Sequence, residues 1–311
     1  MKKPILLLAI LSVVAIIACS NIKTNDPAKT IEKEIVENTK PAKSLSEEFK
    51  KYWYAGQAEI SSYQLEQARY GEMRKGTAVL IYVTEDFLPT EQVKADTNSP
   101  NNIPVLKLNA TKNFNTGIYP YSIMQSTFYP VADNQHAIKV SSSIQEWCGH
   151  VYAQLNNRTQ FEVTSHSYFE KEADQNLLLD KAILENELWA KIRIDPDALP
   201  LGNIQVIPSF EFCRLRHKEI KAYTAKASLQ KEDATNTYTI EYPGLDRSIS
   251  ITFTNSFPYT IEYWEETCIS GFDPNAKKMT TKATKIKGIK SAYWGKNSTT
   301  DESLREELGL N

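Results

Sequence analysis

The chain reads as a mainly β protein: a wide curved antiparallel sheet or half-barrel with two or three short helices. Three observations carry this. Short segments of alternating apolar and polar residues follow one another from Ala58 to Ala292, separated by turn residues. There are 16 Tyr but only 11 Gly, a balance that favours pleated sheet and leaves little material for phosphate-cradling loops. One internal stretch alone, around Leu184, Leu188 and Ile192, has a helical stripe.

The elements follow in order. Ser44 and Glu47 fit a capping box, and Phe49, Tyr52 and Trp53 lie near one face, so a helix is expected over 45–55 with Gly56 as its C-cap. Strands are expected over 58–70, 77–84, 105–114 and from Gly117 to near Pro130, with a turn at 71–76 and a loop at 96–102. Asp133-Asn134-Gln135 turns the chain into a strand over 136–143. Segments 147–155 and 159–169 make a hairpin around Asn156-Asn157-Arg158. The internal helix, near 180–193, ends at Asp195-Pro196. Strands resume at 204–213, 219–229, 237–242, 248–254, 259–267 and 282–292. Thr299 with Glu302 opens a last short helix that Gly309 stops. A sheet of so many strands cannot stay flat, because twist accumulates, and the helices near 45–55 and 180–193 are the natural cover for the concave face.

The first residues speak to location. Met1-Lys2-Lys3, the apolar run Ile5 to Ile17, then Ala18 and Cys19 form a signal segment. The run is too short for a bilayer span of about 20 residues. Ile16-Ile17-Ala18-Cys19 resembles the lipobox of bacterial lipoproteins. The expectation is a signal peptide over 1–18, a diacylglycerol on the Cys19 thiol, a polar tether over 19–43 and a β-rich envelope domain over 44–311. Two or three acyl chains hold a protein on a membrane where one does so only marginally. Ser20 replaces the aspartate that marks inner-membrane retention in some bacteria, and the following residues are not clearly acidic. Together these favour the outer membrane, lipid-anchored on its periplasmic face, over the cell surface.

Charge and motifs exclude several classes. The formal net charge is −2 with no basic tract, which argues against nucleic acid. Beyond Cys19 stand Cys148, Cys213 and Cys268, which allow one disulfide and one thiol in three pairings, or three reduced cysteines. Cys148-Gly149-His150 with Cys213 and His217 contains tetrahedral zinc donors, but at spacings that match no zinc motif, so no metal is assigned. Arg214, Arg216, His217 and Lys218 form a basic cluster suited to an anionic headgroup or to a solvated strand edge. Asp195 and Asp197 flank a proline and read as a turn, not an acid–base pair. Gly288 with Gly295-Lys296-Asn297 lacks phosphate-loop spacing, and Gly-x-Ser-x-Gly and His-Glu-x-x-His are both missing. No catalytic residue and no cofactor is assigned.

Several stretches resemble a flavobacterial lipoprotein family whose members often carry the name septum formation inhibitor Maf. They are 51–56 with 67–72, 79–86, 141–152, and Ser291-Ala-Tyr-Trp-Gly-Lys-Asn297 with 304–309. The resemblance spans most of the chain after Cys19 and implies an envelope lipoprotein. The Ser-x-Ser-Pro-Arg-Arg loop of Maf nucleotide pyrophosphatases is missing, so no catalytic residue is carried over. The helix ending at Arg193 and the hairpin over 247–264 are similar to envelope half-barrels related to lipoprotein carriers. That likeness implies an acyl chain cradled on a concave face. The functional expectation is a non-enzymatic, membrane-anchored protein that binds a lipid, another apolar ligand or an envelope protein. An envelope hydrolase or nucleotide-related enzyme and a structural subunit of an envelope complex are the alternatives.

Overall fold

The computed structural model describes residues 40–310 except 273 and 275, so the expectations for Cys19 and the segments before Lys40 lie outside the described residues. A helix, α1 (Glu47–Trp53), precedes strands β1 (Ala58–Arg69), β2 (Glu72–Leu88), β3 (Val93–Lys94), β4 (Ile103–Thr116), β5 (Tyr119–Pro130), β6 (Lys139–Glu146), β7 (Gly149–Asn157), β8 (Phe161–Ser167), β9 (Gln175–Leu179) and β10 (Ile183–Leu184). Next come α2 (Glu185–Ile194), β11 (Gly202–Ile207), α3 (Phe210–Leu215), β12 (Tyr223–Lys231), β13 (Thr235–Tyr242), β14 (Arg247–Thr254), β15 (Ile261–Ser270), β16 (Lys277–Ser291) and α4 (Ser303–Glu307).

All sixteen strands belong to one open sheet that does not close into a barrel. Two antiparallel meanders build it. One runs from β1 to β9 with β3 beside β2, the other from β11 to β16, and the pairing of β16 with β1 joins them at mid-sheet. The sole parallel pair among the described strands is β10 with β11. The outer edges, β9 and β10, are consecutive in the chain and only residues 180–182 link them. Four Cα steps bring the edges within about 14 Å at that end.

Alternation sets the faces. In β14 the inward row is Arg247, Ile249, Ile251 and Phe253, while Ser248, Ser250, Thr252 and Thr254 face outward. Outward hydroxyls pair across strands, as Thr239 with Ser250 at 2.9 Å and Thr267 with Thr280 at 2.8 Å. Tyr70-Gly71 turns β1 into β2 with positive φ at both residues, so the turn ends at Gly71 and not at residue 76 as expected.

The concave face holds the main core. α2 packs on β4 and β5, and α3 packs on β6. Leu184, Leu188 and Ile192 are buried as the stripe predicts, each worth roughly 1.5–3 kcal/mol. Glu187 caps α2 by accepting from the Leu184 amide at 3.2 Å, and it also receives the Ala137 amide at 2.8 Å. At mid-sheet β1 is buried on both faces, because the C-terminal segment lays Leu308 and Leu310 against Ala58, Ile60 and Val83. Lys40 and Lys43 already bond to the loop after β5 through Asn134 and Ala132.

Two local expectations are corrected. Residues 210–213 were expected at the end of a strand and belong to the helix Phe210–Leu215, capped by Ser209, which accepts from the Phe212 amide. All six of its residues are buried, so no polar face marks its period. Trp147 and Cys148 form the turn before β7 and are not part of it.

Candidate functional site

Two polar systems lie on the concave face. The first is largely buried. Arg247 of β14 donates to both Glu185 oxygens, at 2.5 and 2.8 Å, and its Nε donates to Glu266 at 2.5 Å. Tyr242 donates to Glu185 at 2.7 Å. Beside it Lys112 and Gln125 donate to Glu211 at 2.7 and 3.0 Å. Burial alone would raise the Glu266 carboxyl, but the Arg247 charge outweighs it and holds the group below the usual carboxylate range. All of these groups except Tyr242 border a cavity of about 50 Å³, together with Leu80, Leu108 and Trp264. That is room for about three or four water molecules, not for a ligand.

The second system is an open cleft of about 430 Å³ between β6–β9 and α3 with the loop after it. Inward rows of four strands supply its floor. Ser142 and Ile144 come from β6, Val151 and Ala153 from β7, Ser165 from β8, and Leu177 and Leu179 from β9. Phe210 and Ile220 close the other wall. The charged lining has four cations, Lys171, Arg214, Lys218 and Lys221, against the carboxylates Glu172 and Glu219.

Arg214 is the unusual member. Its side chain is 6% exposed, stacked over Phe169 at 3.8 Å. The nearest carboxylate oxygen, on Glu172, stands 3.8 Å from Nε, beyond hydrogen-bond reach. Nε and Nη1 have no partner, and burial pushes the guanidinium down from its ordinary value. Glu172 is occupied elsewhere, with His217 Nδ1 at 2.6 Å and the Ser167 hydroxyl at 2.8 Å. The Ser142 hydroxyl, also on the cleft, is a second buried group without a partner.

The basic cluster seen in the sequence is therefore divided. Arg214, His217 and Lys218 reach the cleft, while Arg216 donates to the Ala68 carbonyl at 3.3 Å. Cys148, His150, Cys213 and His217 do not converge, and among the described residues no group of His, Cys, Asp and Glu is arranged to hold a metal. Cys148 is an exposed thiol, whereas Cys213 and Cys268 are buried thiols in one small cluster with Phe212. His150 pairs with Ser143 at 3.0 Å. Asp195 and Asp197 bind different lysines, Lys43 and Lys231.

Comparison with protein-family models, with curated proteins and with solved structures returns no match. The cleft therefore stands on its own geometry. Ser142, Phe169, Lys171 and the β9 leucines were not marked as site residues by the sequence. Their signal was slight: Ser142 and the leucines are ordinary residues at inward strand positions, and Phe169 and Lys171 lie in the β8–β9 loop.

Proposed function

We propose that this chain is an envelope lipoprotein, anchored through Cys19 in the outer membrane, whose domain binds an apolar chain without transforming it. The observation that carries the reading is the 430 Å³ cleft with its floor of Ile144, Val151, Ala153, Leu177 and Leu179. A site of that volume, apolar with a few polar groups, has the character of a small-molecule pocket. Burial supplies the affinity, at roughly 0.8 kcal/mol per methylene removed from water. The open seam between the sheet edges β9 and β10 supports entry of a chain without unfolding, since no strand ladder bridges it.

The test is native mass spectrometry of the unit Asn38–Asn311 expressed in a periplasm. This unit is compact by itself, and Lys40 and Lys43 belong to its hydrogen bonding. An extra mass that organic extraction releases as lipid supports the reading. A clean mass, together with no uptake of added fatty acid, overturns it in favour of a protein-binding role. The surface to examine then is one end of the sheet, where the turns carry exposed Ile118, Trp147, Tyr168 and Phe272.

A further inference from the structure

The cleft has a buried cation with unused hydrogen-bond donors, and that feature says more about the ligand than the apolar floor does. A buried guanidinium without hydrogen-bond partners is costly, and removing one partner from a charged group typically forfeits more than a neutral bond would. Arg214 keeps Nε and Nη1 unpartnered while lining an open cleft, and its one neighbouring carboxylate is held by His217 and Ser167. Phe169 fixes the plane of the guanidinium by stacking on it. A guanidinium held in place with unused donors suits an anionic oxygen, as on a carboxylate or a phosphate monoester.

The surrounding groups favour the same sign. Lys171 and Lys218 are exposed on the two loops flanking Arg214, whereas Lys221 is paired with Glu219. The apolar floor is offset from this charged end. Gln175 of β9 adjoins the loop that carries Lys171, and Leu179 lies four residues further along, about 13 Å away at strand rise. The charged end and the apolar end thus belong to one continuous cleft.

We propose that the ligand is a single-chain amphiphile with an anionic head, a carboxylate or phosphate monoester, seated on Arg214, with its chain along Leu177 and Leu179. This rests on the cleft reading above and adds the sign and place of the head. Ser142, unpartnered on the same floor, is a further donor for head oxygens or for a water that they bind.

The experiment is calorimetric titration of the unit Asn38–Asn311 with decyl phosphate, decanol, decyltrimethylammonium and inorganic phosphate, each below micelle formation. Decyl phosphate should bind tighter than decanol and decyltrimethylammonium by about tenfold or more, the worth of a charge-assisted bond. Arg214→Gln should remove that advantage and leave decanol within about twofold. Lys218→Gln, on the exposed loop, should weaken decyl phosphate by a smaller factor, and it serves if Arg214→Gln fails to fold. Equal binding of the three decyl compounds to the native protein overturns the anionic head while the apolar cleft stands. Inorganic phosphate binding as tightly as decyl phosphate overturns the amphiphile in favour of a free anion. Absence of binding by every decyl compound overturns the cleft reading itself.

Discussion

Arg193 of α2 and Glu59 of β1, 134 residues apart in the chain, form a two-pronged ion pair at 2.8 and 2.6 Å in the protein interior. Arg193 also donates to the Pro258 carbonyl at 2.8 Å and lies over the Tyr82 ring at 4.6 Å. Tyr52 of α1 donates to the same carboxylate at 2.5 Å, so the pair ties two helices to the sheet. Breaking a buried pair from one side leaves an uncompensated charge. Glu59→Gln should therefore cost about 3–5 kcal/mol in urea unfolding, and Arg193→Met with Glu59→Leu should recover a large part of it. A loss below about 1 kcal/mol in the single variant would show that the pair is not holding α2 in place.

Acid should weaken the same fold in a defined window. Burial alone would raise Glu59, but the Arg193 charge and hydrogen bonds outweigh it and hold the carboxyl below its ordinary 4.5, and Glu266 is likewise lowered beside Arg247. The folded state thus binds fewer protons at these groups than the unfolded chain. Their contribution is complete above pH 4.5 and is lost as pH falls from there through the folded values. Urea midpoints measured from about pH 7 to about pH 3.5 should fall steeply below 4.5, and less steeply in Glu59→Gln. An identical slope in the variant would assign the acid sensitivity to other carboxyls.

Gly76 is set by space. A Cβ there would lie 2.3 Å from the Asn113 carbonyl oxygen and 2.8 Å from Phe114 Cβ, across the β2–β4 pairing. Gly76→Ala should destabilise by about 1–3 kcal/mol, since backbone must shift to admit the methyl. Gly244→Ala, where the same atom meets open space, is the control and should stay within about 0.5 kcal/mol. Equal midpoints for the two variants would mean that the strands separate without cost at Gly76.

Thiol chemistry should single out one cysteine. Burial pushes Cys213 up to about 12 and Cys268 up to about 11, and both are shielded in the cluster with Phe212. Cys148 is exposed on the β6–β7 turn, with its thiol raised by a hydrogen bond to and the charge of Glu146. Alkylation of the native unit Asn38–Asn311 should add one label, at Cys148, and denaturation should expose the other two. A single label after denaturation without reductant would reveal a disulfide. Native labelling of Cys213 or Cys268 would show that their cluster opens in solution.

Several elements were legible because their physics is local. Leu184, Leu188 and Ile192 repeat at helical spacing, and the structure buries all three. β12, β13 and β14 alternate at period two, and all the strands from β12 to β16 stand within a few residues of their expected places. The losses have local causes too. Residues 210–215 are buried on every side, so the Phe-x-Phe pattern imitates a strand, and only Pro208-Ser209 signals a helix start. β9 was missed because Gln-Asn-Leu-Leu-Leu is short and its leucines are adjacent, with Leu178 facing water while Leu177 and Leu179 line the cleft. Of the site, the basic residues 214–218 stood out as a run, but nothing in that run separates Arg214, which faces the cleft, from Arg216, which holds a backbone carbonyl.

By itself the sequence determined the class of the fold: period-two alternation, turn residues and one apolar helical stripe leave a wide antiparallel sheet with short helices as the consistent arrangement. The tertiary structure alone decided three further matters: that β16 pairs with β1 at mid-sheet, that β9 and β10 are the two unpaired edges, and that Arg214 is buried with Nε and Nη1 lacking hydrogen-bond partners. The reason is physical. Periodicity and turn chemistry act over a few residues, whereas strand order, an open seam and the solvation of one guanidinium depend on groups distant in the chain that meet only when the sheet has curved around its helices.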